Sequence, residues 1–202
     1  MTSIYFLAAL AGLGFIYFVA AFIVGENAHY PNFQVSSASI YSLTINNATK
    51  LTAELNITLS VSNPNHYLRI SYHHHEFHVK VFYTDKEHVI LDNTSTLQQS
   101  NFNGSSLIHM ILKVDTYSGS YVADGIDLSR RKHGMVEFGL TMLTSIMFKN
   151  KLFFLYSWET VKVVCNPIRF AISPNVYNTT PGILLQPLTC TCGPPQISIS
   201  IN

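Results

Sequence analysis

Positions 51 to 62 alternate without a break. Leu51, Ala53, Leu55, Ile57, Leu59 and Val61 are apolar, while Thr52, Glu54, Asn56, Thr58, Ser60 and Ser62 are polar. A period of two predicts a half-buried strand, because successive strand side chains point to opposite faces of a sheet. On a helix the same apolar positions would scatter around the circumference. Asn63-Pro64-Asn65 predicts the turn that ends this strand. Pro64 has no N–H for a ladder and holds Asn63 extended, and short asparagine amides satisfy nearby backbone groups. Alternation resumes in Tyr67-Leu68-Arg69-Ile70 and from Phe77 to Tyr83.

The rest of the chain reads in the same way. Pro31, Phe33 and Val35 lead into a first strand that continues through Ser39–Asn46. Val89–Leu91 ends a strand, Asn93–Ser106 reads as a polar loop, and Leu107–Val114 is the next strand. Ser118–Lys132, with Gly119, Gly125, Asp124 and Asp127, has room for one short helix. Met135–Phe148 and Leu152–Val164 are apolar and strand-like, punctuated by Gly134 and Asn150. Short strands with turns about every 8–12 residues predict a mainly all-β chain folded as a sandwich.

The N-terminus departs from this pattern. Ile4–Val24 carries no charged residue and has no polar face. As a helix its 21 residues would span about 31 Å, matching a hydrocarbon core of roughly 30 Å. Val19-Ala20-Ala21 resembles a cleavage site, which makes a removed signal peptide the competing reading. The apolar run is longer than the usual signal core of about 7–15 residues and lacks a basic lead, so an uncleaved signal-anchor is expected. Only three residues precede it, without Lys or Arg, and the positive-inside rule therefore has little to act on.

Composition agrees with an anchored chain. Charged residues make up 11% and hydrophobic residues 48% of 202 residues. The length suits one domain with a real core. A formal net charge of +1 gives no electrostatic case for nucleic acid. Five Asn-x-Ser/Thr sequons follow the apolar segment, at Asn47, Asn56, Asn93, Asn103 and Asn178. Asn56 lies on the polar side of the alternating strand and the others in turn-like clusters, where a glycan would be solvated. The cysteines are Cys165, Cys190 and Cys192. In an oxidising compartment Cys165 pairs with Cys190 or with Cys192, leaving one thiol over.

Candidate chemistry is thin. His74, Glu76 and His78 would share one face of a strand, a donor set suited to zinc or copper, but Phe77, Val79 and Val81 would then fill the core side and leave the trio on the wet face. Cys190-Thr191-Cys192 is too tight for a zinc knuckle and has no second cysteine pair. No Gly-x-Ser-x-Gly elbow, phosphate loop or dinucleotide fingerprint is present, so neither an enzyme nor a cofactor is expected. Arg130-Arg131-Lys132, the only basic run, reads as a solvated surface turn, with anionic headgroups or a protein partner as the minority reading.

Leu55–Asn65, Ile70-Ser71-Tyr72, Val81-Phe82-Tyr83 and the Pro31-x-Phe33-x-Val35 pattern together carry a family resemblance. They resemble the plant group-2 late-embryogenesis-abundant proteins, specifically the membrane-anchored branch named for harpin-induced and non-race-specific disease-resistance proteins. Val161–Cys165, followed by a later cysteine-containing end, is similar to that branch too. The family's Pro-Phe-x-Gln segment is missing around Leu97–Phe102, and its longer basic cytoplasmic tail is missing as well. The resemblance implies an immunoglobulin- or fibronectin-III-like β-sandwich behind a transmembrane helix. The expected divisions are a tail (1–3), the anchor (4–24), a linker (25–34), the sandwich (35–175) and a C-terminal tail with a cysteine pair (176–202). The implied function is non-enzymatic: protein binding at the plasma membrane, with the C-terminal domain outside the cell, in plant defence and the hypersensitive response. The alternatives are a water-deficit protectant of membranes or proteins, and an extracellular metal-binding module. The endoplasmic reticulum, or secretion after cleavage, is the alternative location.

Overall fold

The computed structural model describes residues 2–26, 28–46, 50–83, 88–94, 98–102, 105–117, 119–151, 156–173 and 181–195. Within these, side chains are described except at 2–4, 20–26, 46, 73–76, 88–94, 98–102, 105 and 120. The chain is mainly β. A helix α1 (Thr2–Glu26) precedes β1 (Asn32–Asn46), β2 (Lys50–Ser62), β3 (Leu68–Tyr83), β4 (His88–Thr94), β5 (Gln98–Phe102) and β6 (Ser105–Tyr117). A second helix, α2 (Gly119–His133), leads to β7 (Met135–Asn150) and β8 (Tyr156–Ala171). Three short strands follow: β9 (Gly182–Leu184), β10 (Leu188–Thr189) and β11 (Thr191–Gly193).

The eleven strands among the described residues form one antiparallel sheet in the order β4-β3-β7-β8-β9-β1-β2-β6-β5, with β10 against β1 and β11 against β8. The sheet curls over on itself. Phe33 of β1 meets Tyr72 of β3 edge-on at 6.3 Å between ring centres, although β7, β8 and β9 lie between them along the sheet. The inward residues of both halves therefore share one core, which includes Leu51, Leu55, Ile57 and Leu59 from β2 and Val136, Phe138, Leu140 and Met142 from β7. Half-buried and buried positions alternate strictly along β2 from Lys50 to Val61, as its sequence predicts, and Ser62 at its end is exposed.

β1 is less regular, and two bulges explain why. β1 advances two residues from Val35 to Ser37 while β2 advances one, and three from Tyr41 to Thr44 while β2 advances two. Each extra residue flips the face of all that follow. Phe33 and Val35 are buried, then Ala38 and Ile40, then Leu43 and Ile45 pack against the core. Ser42, at φ 55°, takes the left-handed turn of the second bulge.

Helix α2 covers the far end of the sheet, with Val122, Ala123 and Ile126 buried. Gly134, at φ 61°, ends it and donates its N–H to the Arg130 carbonyl at 3.0 Å. This is the left-handed cap that glycine favours. The basic run expected as a surface turn is thus the last turn of a helix, where cations complement the helix dipole. Arg130 is 9% exposed and binds Asp127 at 2.8 Å, and Arg131 binds the same carboxylate at 2.8 Å.

Three further expectations change. The polar stretch 93–106 is mostly strand: β4 reaches Thr94, β5 follows, and β6 begins at Ser105. Gln98-Gln99-Ser100-Asn101 gives no period-two signal, because an edge strand is held by its backbone ladder to β6 and needs no apolar stripe. β1 starts inside the expected linker, at Asn32. Residues 182–193, expected in a tail, join the sheet: β9 and β10 pair with β1, while β9 and β11 pair with β8. Pieces of two or three residues are too short to show periodicity in sequence.

The described side chains of α1 run from Tyr5 to Val19, and none is buried. Tyr5, Phe6, Leu7, Leu13, Phe15, Ile16 and Phe18 are all exposed. Among the described residues, no helix is long and apolar enough to cross a membrane.

Candidate functional site

The Asn63-Pro64-Asn65 turn lies where β2 ends and β3 begins, at the end of the sheet nearest α1 in the chain. Asn63 makes an Asx turn, its Oδ1 accepting the Asn65 N–H at 2.9 Å. Its Nδ2 donates to the Leu68 carbonyl at 2.8 Å, fixing the start of β3. Asn65 then reaches the leader: its Oδ1 accepts the His29 N–H at 2.9 Å and its Nδ2 donates to the His29 carbonyl at 2.7 Å. One side chain thus supplies both halves of a strand-like pairing to a residue only three positions past the end of α1. Lys151 closes the other side, with its N–H on the Tyr67 carbonyl at 3.0 Å and its Nζ on the His66 carbonyl at 2.6 Å.

Behind this turn the leader is packed inward. Tyr30 tilts against Phe148 at 6.4 Å, and Pro31 is buried. Burial first, and then Glu159, push the Tyr30 hydroxyl above its ordinary pKa. The C-terminal segment locks on beside it: the Cys190 N–H donates to the Phe33 carbonyl at 2.9 Å, and Cys190 is disulfide-bonded to Cys165. Cys192 remains a free thiol, and burial pushes its pKa up to about 11. Burial likewise raises Tyr72. Each of these shifts favours the protonated form, and all three groups carry their protons at neutral pH.

Two rows of outward residues cross β3, β7 and β8 at this end. Arg69 pairs with Lys149, and Lys149 with Tyr156; one step further along, Ser71 pairs with Met147, and Met147 with Trp158. Tyr156 is 67% exposed, Trp158 48%, and Tyr67 in the adjoining turn 62%. Sequence reading missed this assembly because its residues lie far apart in the chain. The local alternation Tyr156-Ser157-Trp158 was its one available signal.

The other expected residues fall elsewhere. β3 advances five residues from Tyr72 to Phe77 while β7 advances two, from Ile146 to Thr144. Tyr72 and Phe77 are both buried across that odd interval, so strict alternation breaks between them. The side chains of His74 and Glu76 lie outside the described ones, and His78 is exposed. Among the described residues, no three His, Cys, Asp or Glu side chains come together as metal ligands.

Asn56 is half-buried on the outer face of β2, in a cross-strand row running Ile183, Ser39, Asn56, Ile111. Asn93 pairs with Val79 in β4, its side chain outside the described ones, and Asn47, Asn103 and Asn178 lie outside the described residues. Comparison with protein-family models, with curated proteins and with solved structures finds no match to this chain.

Proposed function

We propose that this chain is a membrane-anchored, non-enzymatic cell-surface protein. In this reading α1 stays in the bilayer, and the curled sheet is an immunoglobulin- or fibronectin-III-like sandwich of the group-2 late-embryogenesis-abundant type, held outside the cytosol. It acts by binding a protein partner at the plasma membrane, in the plant defence and hypersensitive-response setting that the sequence resemblance implies.

One observation carries the reading: a helix without charge from Ile4 to Val24 runs, within three residues of its end, into a domain closed by a Cys165–Cys190 disulfide. An apolar surface exposed all round a helix calls for a lipid or protein cover. Disulfides persist in oxidising compartments. Asn56, half-buried on an outer sheet face, supports the same side of the membrane as a candidate glycan site.

The test is the mobility of the full-length protein from plant cells before and after glycosidase, together with protease digestion of intact protoplasts. A downward shift and cleavage of the C-terminal domain from outside are expected. No shift with full protection would place the domain in the cytosol and favour the protectant reading instead.

A further inference from the structure

We propose that the α1-proximal end of the outer face of β3, β7 and β8 is a bilayer-docking surface, which seats the domain on the anionic headgroups of the leaflet that α1 leaves. The proposal rests on the reading of α1 as a membrane anchor. It adds a second contact, made by Arg69, Lys149, Lys151, Tyr67, Tyr156 and Trp158.

Chain geometry gives the first argument. α1 ends at Glu26, and His29 is already bonded to Asn65 on the β2–β3 turn. Three residues reach at most about 10 Å even when fully extended. The turn, the end of β7 and the start of β8 share this end of the sheet, as the pairs Leu68 with Asn150 and Lys149 with Tyr156 require. A domain tethered this closely meets the bilayer at a high effective concentration, so weak contacts suffice to orient it.

Chemistry gives the second. The row Arg69, Lys149, Tyr156 and the row Ser71, Met147, Trp158 contain no carboxylate, and Lys151 adds a third exposed cation beside them. The nearby acid, Glu159, belongs to the opposite face of β8 and bonds Tyr30. Tyrosine and tryptophan rings favour the headgroup level of a bilayer, with the ring body in the apolar zone and the polar edge in water. Lysine and arginine close to the surface are drawn to anionic lipids.

The contrast with the basic run is informative. Lys149 lies near the end of β7, whereas Arg130, Arg131 and Lys132 close α2 just before that strand begins at Met135. There Asp127 takes up the charge of two of the three cations. The chain joining β7 to β8 reads Leu152-Phe153-Phe154-Leu155 and lies outside the described residues; the surface is drawn without it.

Trp158 is the single tryptophan of the chain, so its fluorescence reports this face alone. The full chain is reconstituted into phosphatidylcholine vesicles with or without phosphatidylserine, the acyl chains carrying a doxyl quencher near the headgroup. Blue-shifted, strongly quenched emission is expected with phosphatidylserine and weak quenching without it. Raised salt, or the combined substitutions R69Q, K149Q and K151Q, should bring quenching down to the pure phosphatidylcholine level. R131Q with K132Q at the far end should leave it unchanged. Protection of Cys192 from alkylation checks that each variant is folded.

A chain that floats with the vesicles and resists alkaline extraction, yet shows no quenching of Trp158, would overturn the docking surface and leave the anchor standing. Quenching indifferent to the three near-end substitutions would overturn the assignment to anionic headgroups. An emission change produced by polygalacturonate but not by lipid would assign the face to an acidic polysaccharide. A chain that fails to float would overturn the anchor and the docking surface together.

Discussion

The side-chain amide of Asn65 binds both polar groups of the His29 backbone, donating to its carbonyl at 2.7 Å and accepting its N–H at 2.9 Å. The leader from α1 is thereby fastened to the β2–β3 turn before the first strand begins. Asn65→Ala removes both bonds and, with them, the Nδ2 donation to Asn63 Oδ1 at 2.9 Å. At roughly 0.5–1.5 kcal/mol each, and with water able to compete at this exposed place, the loss should be about 1–2 kcal/mol. Faster hydrogen exchange at the His29 amide and a lower denaturation midpoint of the detergent-solubilised chain would record it. Asn65→Asp keeps the acceptor for the His29 N–H but sets a carboxylate oxygen against the His29 carbonyl and Asn63 Oδ1, so it should lose at least as much; a variant clearly more stable than Asn65→Ala would contradict this account.

The Cys165–Cys190 bond spans 25 residues. Constraining the unfolded chain over that length adds about 3 kcal/mol. Cys190→Ser should lower stability by this amount in chemical denaturation, whereas Cys192→Ser should keep the bond. Thiol titration of the denatured, unreduced protein should find one thiol in the parent and none in Cys192→Ser.

Alkaline pH should destabilise the domain. Burial raises Cys192 from its ordinary 9.0 to about 11 and raises Tyr72 above its ordinary 10.0. The folded state therefore keeps protons that the unfolded chain has released, and stability falls as pH rises past the unfolded values. Below pH 9 both states are protonated and neither group contributes. Melting temperature should drop between pH 9 and about 11, and Cys192→Ser should flatten the first part of that slope. At neutral pH the raised value leaves Cys192 less thiolate than an unperturbed cysteine, so slower alkylation is expected.

Gly139 faces Phe82 across β3 and β7, and a Cβ there would lie 2.1 Å from the ring. Phe82 is itself buried and has little room to yield. Gly139→Ala should cost about 1–3 kcal/mol by overpacking. Pairing it with Phe82→Leu should recover part of the loss in a double-mutant cycle, and strict additivity would refute this contact as the cause.

How much of this was legible in sequence depends on phase. β2 could be read residue by residue because nothing interrupts it: each apolar position from Leu51 to Val61 is buried. β1 could not, because its two bulges reset the face, and a bulge depends on what the partner strand offers. The shared face read for His74, Glu76 and His78 assumes a regular strand, in a stretch where β3 gains three residues on β7 and where the His74 and Glu76 side chains lie outside the described ones. The turn at Asn63 and Asn65 was read as a turn, but its hold on His29 joins residues 36 apart.

Local information in the chain alone determined the strand character of β2, the turn that ends it, the uncharged apolar N-terminal run and the presence of one thiol beyond a pair. Each follows from neighbours in sequence: side-chain periodicity, a missing N–H, an absence of charge, an odd number of cysteines. Tertiary structure decided which cysteine pairs with Cys165, because β10 and β11 bring Cys190 to the core between β1 and β8. It also decided that the three cations facing outward beside Trp158 come from β3, from β7 and from the residue just after β7. Register between strands sets such neighbours, and register is a property of the whole curled sheet.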